Sequence, residues 1–141
     1  MAAVTARLVA ELPDVVVERA RRAAVDIDAD ALPRLVVLGD GVQADASQEY
    51  SVTHYQIAFS VTGFVRSTSD VLVEQGLSTL YARVVDALVR WTPTTPGLAD
   101  PFENETDFTL FDADESAIPA GNFCARFVLT AVSPTGGPWS T

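Results

Sequence analysis

The sequence predicts an α+β domain: a mostly antiparallel, mixed sheet with two main helices packed on one face, folded as a single domain. Three observations carry this. From Ser51 to Val65 the apolar residues Tyr55, Ile57, Phe59, Val61 and Val65 take odd positions, while His54, Gln56, Ser60 and Thr62 take even ones. That is the period of a strand with one buried face. The strand runs into an amphipathic stretch whose inward stripe is Val73, Leu77, Leu80 with Tyr81, Val84, Leu88 and Trp91, spaced by threes and fours as a helix requires. Finally, helices are few and several strand candidates are joined by short connections, which favours antiparallel pairing with the helices on one side.

The elements follow in order. Thr5 to Leu12 is rich in Ala, Arg, Leu and Glu, with Val4, Leu8 and Leu12 on one side, and reads as a helix stopped near Pro13. Val15 to Val17 is a short β-branched strand, and Glu18 to Arg22 suits either strand or helix. Val25 to Leu32 is an acidic loop closed by Pro33. Leu35 to Leu38 is an apolar strand between Pro33 and an expected turn at Gly39-Asp40-Gly41. Gln43 to Glu49 is polar and exposed. After the long strand, Ser67, Thr68, Ser69 and Asp70 supply side-chain oxygens for the free amides of a helix start, and Asp70 and Glu74 suit its positive end. Pro93 limits that helix, and Pro93, Pro96 and Pro101 stiffen an extended connection. Phe108 to Phe111 is a short strand candidate. Asp112 to Asn122 reads as an acidic loop with a turn at Pro119 and Gly121, and Phe123 to Val132 as the closing strand. Ser133 to Thr141, with its Gly and Pro, reads as a flexible C-terminal arm in which Trp139 is a candidate docking residue, since a tryptophan is costly to leave in water. The domain proper is then residues 1–132.

Composition narrows the function. Nine arginines and no lysine stand against nineteen acids, for a net charge of -10 over 141 residues. This argues against sequence-independent binding to a phosphate backbone and against docking on anionic lipid. The single Cys124 cannot form an internal disulfide, and its plain reading is a small core residue. The N-terminus lacks the basic patch and apolar run of a signal peptide, and no apolar stretch approaches spanning length, so a soluble protein made in the cytoplasm is expected.

The chemical inventory is thin. Asp26, Asp28 and Asp30 alternate like the opening of a calcium loop, but Ala31 stands where the loop needs Gly and Val37 where it needs Glu. His54 is the sole histidine, better suited to a surface or interface than to a catalytic triad. Gly39-Asp40-Gly41 lacks the spacing of a phosphate cradle, and without lysine no P-loop is possible. No catalytic residue, cofactor or metal site is expected; Asp112, Asp114 and Glu115 read as an exposed acidic turn. What remains is charge. Asp100, Glu103, Glu105, Asp107, Asp112, Asp114 and Glu115 form an acidic stretch that is a candidate subunit interface. Arg19, Arg21 and Arg22 form the one basic cluster, suited to intersubunit or local ion pairing.

The order of these segments carries a resemblance. An N-terminal helix, the run Leu32-Pro33-Arg34-Leu35-Val36-Val37, a polar loop, the strand through Gln56-Ile57-Ala58-Phe59-Ser60-Val61, a Ser/Asp-capped helix and the closing Arg126-Phe127-Val128-Leu129-Thr130 together resemble the tail terminator proteins of long-tailed phages, the minor tail protein U type. The acidic Phe111-Asp112-Ala113-Asp114-Glu115 also fits. The likeness spans roughly residues 2–132, and the tail after Ser133 departs from it. It implies a structural virion protein at the tail-head junction, with no enzymatic role. Members form a ring, usually a hexamer, on the last disc of the tail tube, stop its polymerisation and meet the head-completion proteins. The implied partners are other copies of the chain, the tail tube protein and a head-completion or connector protein, with DNA passing through the lumen without specific binding. Ring closure needs head-to-tail interfaces, and an acidic lumen would repel phosphate, so the resemblance makes the acidic stretch Asp100 to Glu115 a candidate channel lining as well as a candidate subunit interface. Two other classes stay open: a head-tail connector or tail-completion protein, and a small ligand-binding regulatory α+β domain with a site beside His54.

Overall fold

A computed structural model describes residues 2–19, 32–44, 52–91, 101–111 and 118–134 of the chain. The elements are α1 (Ala2–Glu11), β1 (Val16–Arg19), β2 (Arg34–Ala44), β3 (Val52–Arg66), α2 (Asp70–Val89), β4 (Phe102–Leu110) and β5 (Ala120–Pro134). The five strands form one sheet in the order β1-β2-β3-β5-β4. Only β1 and β2 run parallel; β2 with β3, β3 with β5, and β5 with β4 are antiparallel. The α+β expectation holds.

The alternation of β3 does what its period demands. Ile57, Phe59 and Val61 are buried, and they meet Leu35 and Val37 of β2 and Phe123, Ala125, Phe127, Leu129 and Ala131 of β5 on one face. Phe59 and Phe127, directly opposite in register, stack at 5.4 Å between centroids. Both helices lie on this face, because Val4 and Leu8 of α1 and Val73, Leu77, Leu80, Val84, Ala87 and Leu88 of α2 belong to the same core. Arg7 ties the helices together, its Nε donating to the carbonyl of Ala87 at 2.9 Å while Nη1 pairs with Glu11 at 2.8 Å.

The start of α2 is set by Ser69, whose backbone is extended and whose hydroxyl accepts from the Leu72 amide at 3.3 Å. This satisfies one of the amides that a helix start leaves free. Gly63 serves the sheet differently. A methyl group there would fall 2.4 Å from Cε1 of Phe123, so the absent side chain is what lets that ring lie across β3.

Five boundaries differ from the sequence expectation. The first helix begins at Ala2 rather than Thr5. Gly39-Asp40-Gly41 is not a turn that ends a strand: β2 continues through it, with the register stepping from Gly39↔Phe59 to Gly41↔Ala58. Asp40 is the extra residue of a bulge, and Gly41 takes φ 152°, which glycine accepts without cost. The strand candidate Phe108 to Phe111 belongs to a strand that starts at Phe102. The expected turn at Pro119 and Gly121 is instead the entry to β5, where Gly121 pairs with Val65 on one side and Leu110 on the other. At the far end β5 runs through Ser133 and Pro134, opposite Thr53 and Val52, so the first two residues of the expected arm are part of the sheet.

Candidate assembly surface

The two edges of the sheet carry the charge. Strand β4 owes its edge position to its composition: three acids and a bulge between Glu103 and Glu105 disfavour a central place and discourage unspecific pairing. On the helix side of the sheet Glu103, Thr106 and Phe108 lie opposite Phe127, Ala125 and Phe123. On the other side Glu105, Asp107 and Thr109 lie opposite Arg126, Cys124 and Asn122.

Each acid of β4 has a defined partner. The Tyr81 hydroxyl and the Thr106 hydroxyl both donate to Oε2 of Glu103, which pins the edge strand to α2. That hydrogen bond to Glu103, with partial burial, raises the Tyr81 pKa above its usual value. The ring of Tyr81 packs edge-on to both Phe108, at 5.3 Å, and Phe123, at 5.7 Å. Arg126 bridges the other two acids, Nη1 donating to Asp107 at 2.8 Å and to Glu105 at 3.2 Å. The hydrogen bond to Asp107 is the main reason its guanidinium is held still more firmly protonated than usual. Two acids sharing one arginine leave this part of the edge negative.

The same edge is apolar. Phe102, Phe108 and Leu110 are 53%, 51% and 45% exposed, and a groove between β4 and α2 is lined by Glu74, Leu77, Ser78, Phe108, Thr109 and Leu110. Large aromatic side chains half in water beside a groove mark a contact surface rather than a finished exterior.

The opposite edge, β1, is built differently. Asp14, just before it, takes a bidentate pair from Arg83 of α2, at 2.5 and 3.0 Å, which lowers the Asp14 pKa. Glu18 receives Nη1 of the buried Arg34 from the neighbouring strand. Arg19 ends β1 exposed, with no ion-pair partner among the described residues.

Of the residues singled out from the sequence, the structure therefore places Glu103, Glu105 and Asp107 together on β4 and Arg19 on the far edge. Asp100, Asp112, Asp114, Glu115, Arg21, Arg22 and Trp139 lie outside the described residues. The acids of β4 are strand residues, in a stretch to which the sequence assigned no element. Sequence reasoning missed Tyr81, Thr106 and Arg126 as their partners; only Tyr81, on the flank of the helix stripe, carried a hint. Cys124 is half-buried on the face away from the helices rather than a core residue, because it alternates with Phe123 and Ala125. His54 is half-buried on that same face, opposite Val132. Among the described residues there is no cluster of three or more His, Cys, Asp or Glu suited to a metal, and no helix long and apolar enough to cross a membrane.

Among known proteins the likeness of this chain is one of fold. No protein-family model and no curated protein sequence matches the chain. Its fold is similar to that of a chain in the virion of a native gene transfer agent particle, with a TM-score of 0.61 at 14% identity, covering 94% of this chain and 93% of that one. The architecture is thus shared over nearly the whole length at low sequence identity.

Proposed function

We propose that this chain is a structural virion protein of a phage or phage-like particle, and within that class a tail terminator. It forms a ring, hexameric by the resemblance of its sequence, that caps the tail tube, stops its polymerisation and joins it to the head-completion proteins. The observation that carries the reading is the fold shared with a virion chain, over 94% of this chain and 93% of that one. The order of sequence segments, drawn from a separate likeness, points to the same class.

The physical features support such a role. The charge of -10 suits the wall of a DNA conduit, where a basic lining would hold the passing strand. Edge strands bearing exposed aromatics and charge suit a protein whose neighbours complete its surface. The role is structural, carried out in the particle at the tail-head junction after assembly in the host cytoplasm.

Native mass spectrometry and negative-stain imaging of the purified protein, alone and with tail tubes, test this. A closed ring, free or seated on a tube end, is expected. A strict monomer that never joins tubes would end the reading. A ring found only at the head vertex would favour the connector role instead.

A further inference from the structure

Strand β4 closes the sheet on one side, pairing with β5 and, among the described residues, with no other strand. Its outer side therefore offers backbone donors and acceptors, since every second residue of an edge strand turns its amide and carbonyl away from its neighbour. From Glu105 to Leu110 the pairing with β5 is regular, running from Glu105↔Arg126 to Leu110↔Gly121, and the bulge lies before it, between Glu103 and Glu105. A further strand can extend the ladder along this run.

The two faces of the run fix what such a strand must carry. On the helix side Phe108 and Leu110 stand half in water, and with Leu77 of α2 they line a groove of about 370 Å³ rimmed by Glu74, Ser78 and Thr109. Its floor is bare backbone: a methyl group on Gly121 would fall 3.0 Å from Cδ1 of Leu77 and 3.2 Å from Cδ2 of Leu110, so the glycine lets both leucines settle over it. On the other face Glu105 and Asp107 are exposed and share Arg126. Glu103 is held by two hydroxyls, which bring no charge. Among the described residues, Glu103, Glu105 and Asp107 of β4 and Glu74 of the groove wall thus outnumber Arg126, the arginine paired with two of them.

We propose that this edge takes an extended segment of another protein as an added strand, with apolar side chains in the groove and basic ones, at the alternate positions, beside Glu105 and Asp107. Strand addition draws affinity from backbone bonds and selectivity from alternate side chains. A second copy of this chain is the poorer occupant on charge. The chain carries -10, and β1, the other edge strand, sets Glu18 beside Arg19. A strand alternating basic and apolar residues, from a different chain, meets the acidic edge with opposite sign. Docking of this kind needs one open edge and no ring, so it holds or fails apart from the tail reading.

Fluorescence anisotropy of labelled synthetic peptides nine residues long, the length of β4, tests this on the whole native chain. The probe alternates arginine and valine. A second peptide has the same composition with its arginines in one block, and two more are the alternating peptide N-methylated at its valines or at its arginines. The alternating peptide should bind about tenfold more tightly than the block peptide. N-methylation should weaken binding about tenfold in one set and leave the other unchanged, because only alternate amides of the added strand face β4. Glu105→Gln with Asp107→Asn, both exposed, should weaken binding about tenfold, whereas Glu11→Gln with Asp40→Asn, which removes the same charge from α1 and β2, should not. A cooperative melt checks that both variants are folded. Equal binding of the alternating and block peptides, or indifference to both N-methylated sets, would reduce the contact to unspecific charge attraction and overturn the added strand. Sedimentation of the native chain covers the other occupant: self-association abolished by Glu105→Gln with Asp107→Asn would place a second copy on this edge and overturn the choice of partner.

Discussion

Replacing Gly63 by alanine tests how the sheet is packed beneath its β4 edge. A Cβ at this position would lie 2.4 Å from Cε1 and 2.6 Å from Cζ of Phe123, and 3.1 Å from Cδ2 of Leu80. Carbon atoms ordinarily approach to about 3.5–4.0 Å, so the ring would have to move by roughly 1 Å. It has little room, being fully buried with Tyr81 and Phe108 against it. Overpacking of this kind costs about 1–3 kcal/mol, and a closed aromatic cluster belongs at the upper end. Relief of the glycine's own strand penalty returns about 0.5–1 kcal/mol. The net loss is therefore about 2 kcal/mol, or roughly 6 °C in melting temperature for a domain of this size. Differential scanning calorimetry of Gly63→Ala, Phe123→Leu and the double variant gives the readout. The double variant should be more stable than the sum of the singles by about 1 kcal/mol, since the smaller side chain vacates the space the methyl needs. If Gly63→Ala melted at or above the native temperature, or the two effects simply added, the proposed contact between β3 and the Phe123 ring would be wrong.

Other consequences are as direct. Leu88→Asp or Leu80→Asp places a charge without a partner among buried core residues and should prevent folding, because the cost of several kcal/mol rivals the whole stability of a domain; a soluble, cooperatively melting Leu88→Asp protein would contradict the core assignment. The Tyr81 pKa is raised by its bond to Glu103, so that contact contributes fully below the unfolded value near 10 and is lost as pH climbs through the higher folded value. Tyr81→Phe should remove this alkaline loss, which denaturant melts between pH 8 and 11 would reveal. Asp14 is held below 3.8 by Arg83, so its contribution is present above that value and fades as pH falls through the lower folded one; Asp14→Asn should flatten the acid limb of the stability profile. Removing residues 135–141, which leaves β5 whole, should barely change the melting temperature yet reduce ring assembly if Trp139 anchors a neighbour; unchanged assembly would show that the segment is dispensable.

The sequence made some elements plain and hid others for physical reasons. In β3 one face is buried along most of the strand, so Ile57, Phe59 and Val61 alternate cleanly with Ser60 and Thr62, and the period is visible. Likewise α2 shows its stripe and its Ser69 cap because the helix rests on the sheet along one side. By contrast β4 has a neighbour on only one side and acids on both faces, so Phe102 to Asp107 carries no clear period and suggests no element. The extension of β2 was hidden by Gly39-Asp40-Gly41, which looks like a turn locally and becomes a bulge only because the long β3 is there to pair with it. The crossing that seats β5 between β3 and β4 depends on pairings more than fifty residues apart and leaves no local trace. For the site, charge was legible and geometry was not. The acids and the Arg19 cluster stood out, but the link from Tyr81 to Glu103 spans twenty-two residues and two kinds of element. That the acids of β4 and Arg19 of β1 occupy opposite edges of one sheet follows only from strand order.

The central claim, that this chain caps a phage-type tail tube, is tested most directly by adding it to growing tubes of the tail tube protein from the same particle and measuring tube length with time by electron microscopy. The account predicts that growth halts at a stoichiometry of one ring per tube, with ring-shaped density at one end only. Tubes that lengthen at the same rate with the protein present, and bare ends throughout, would contradict it.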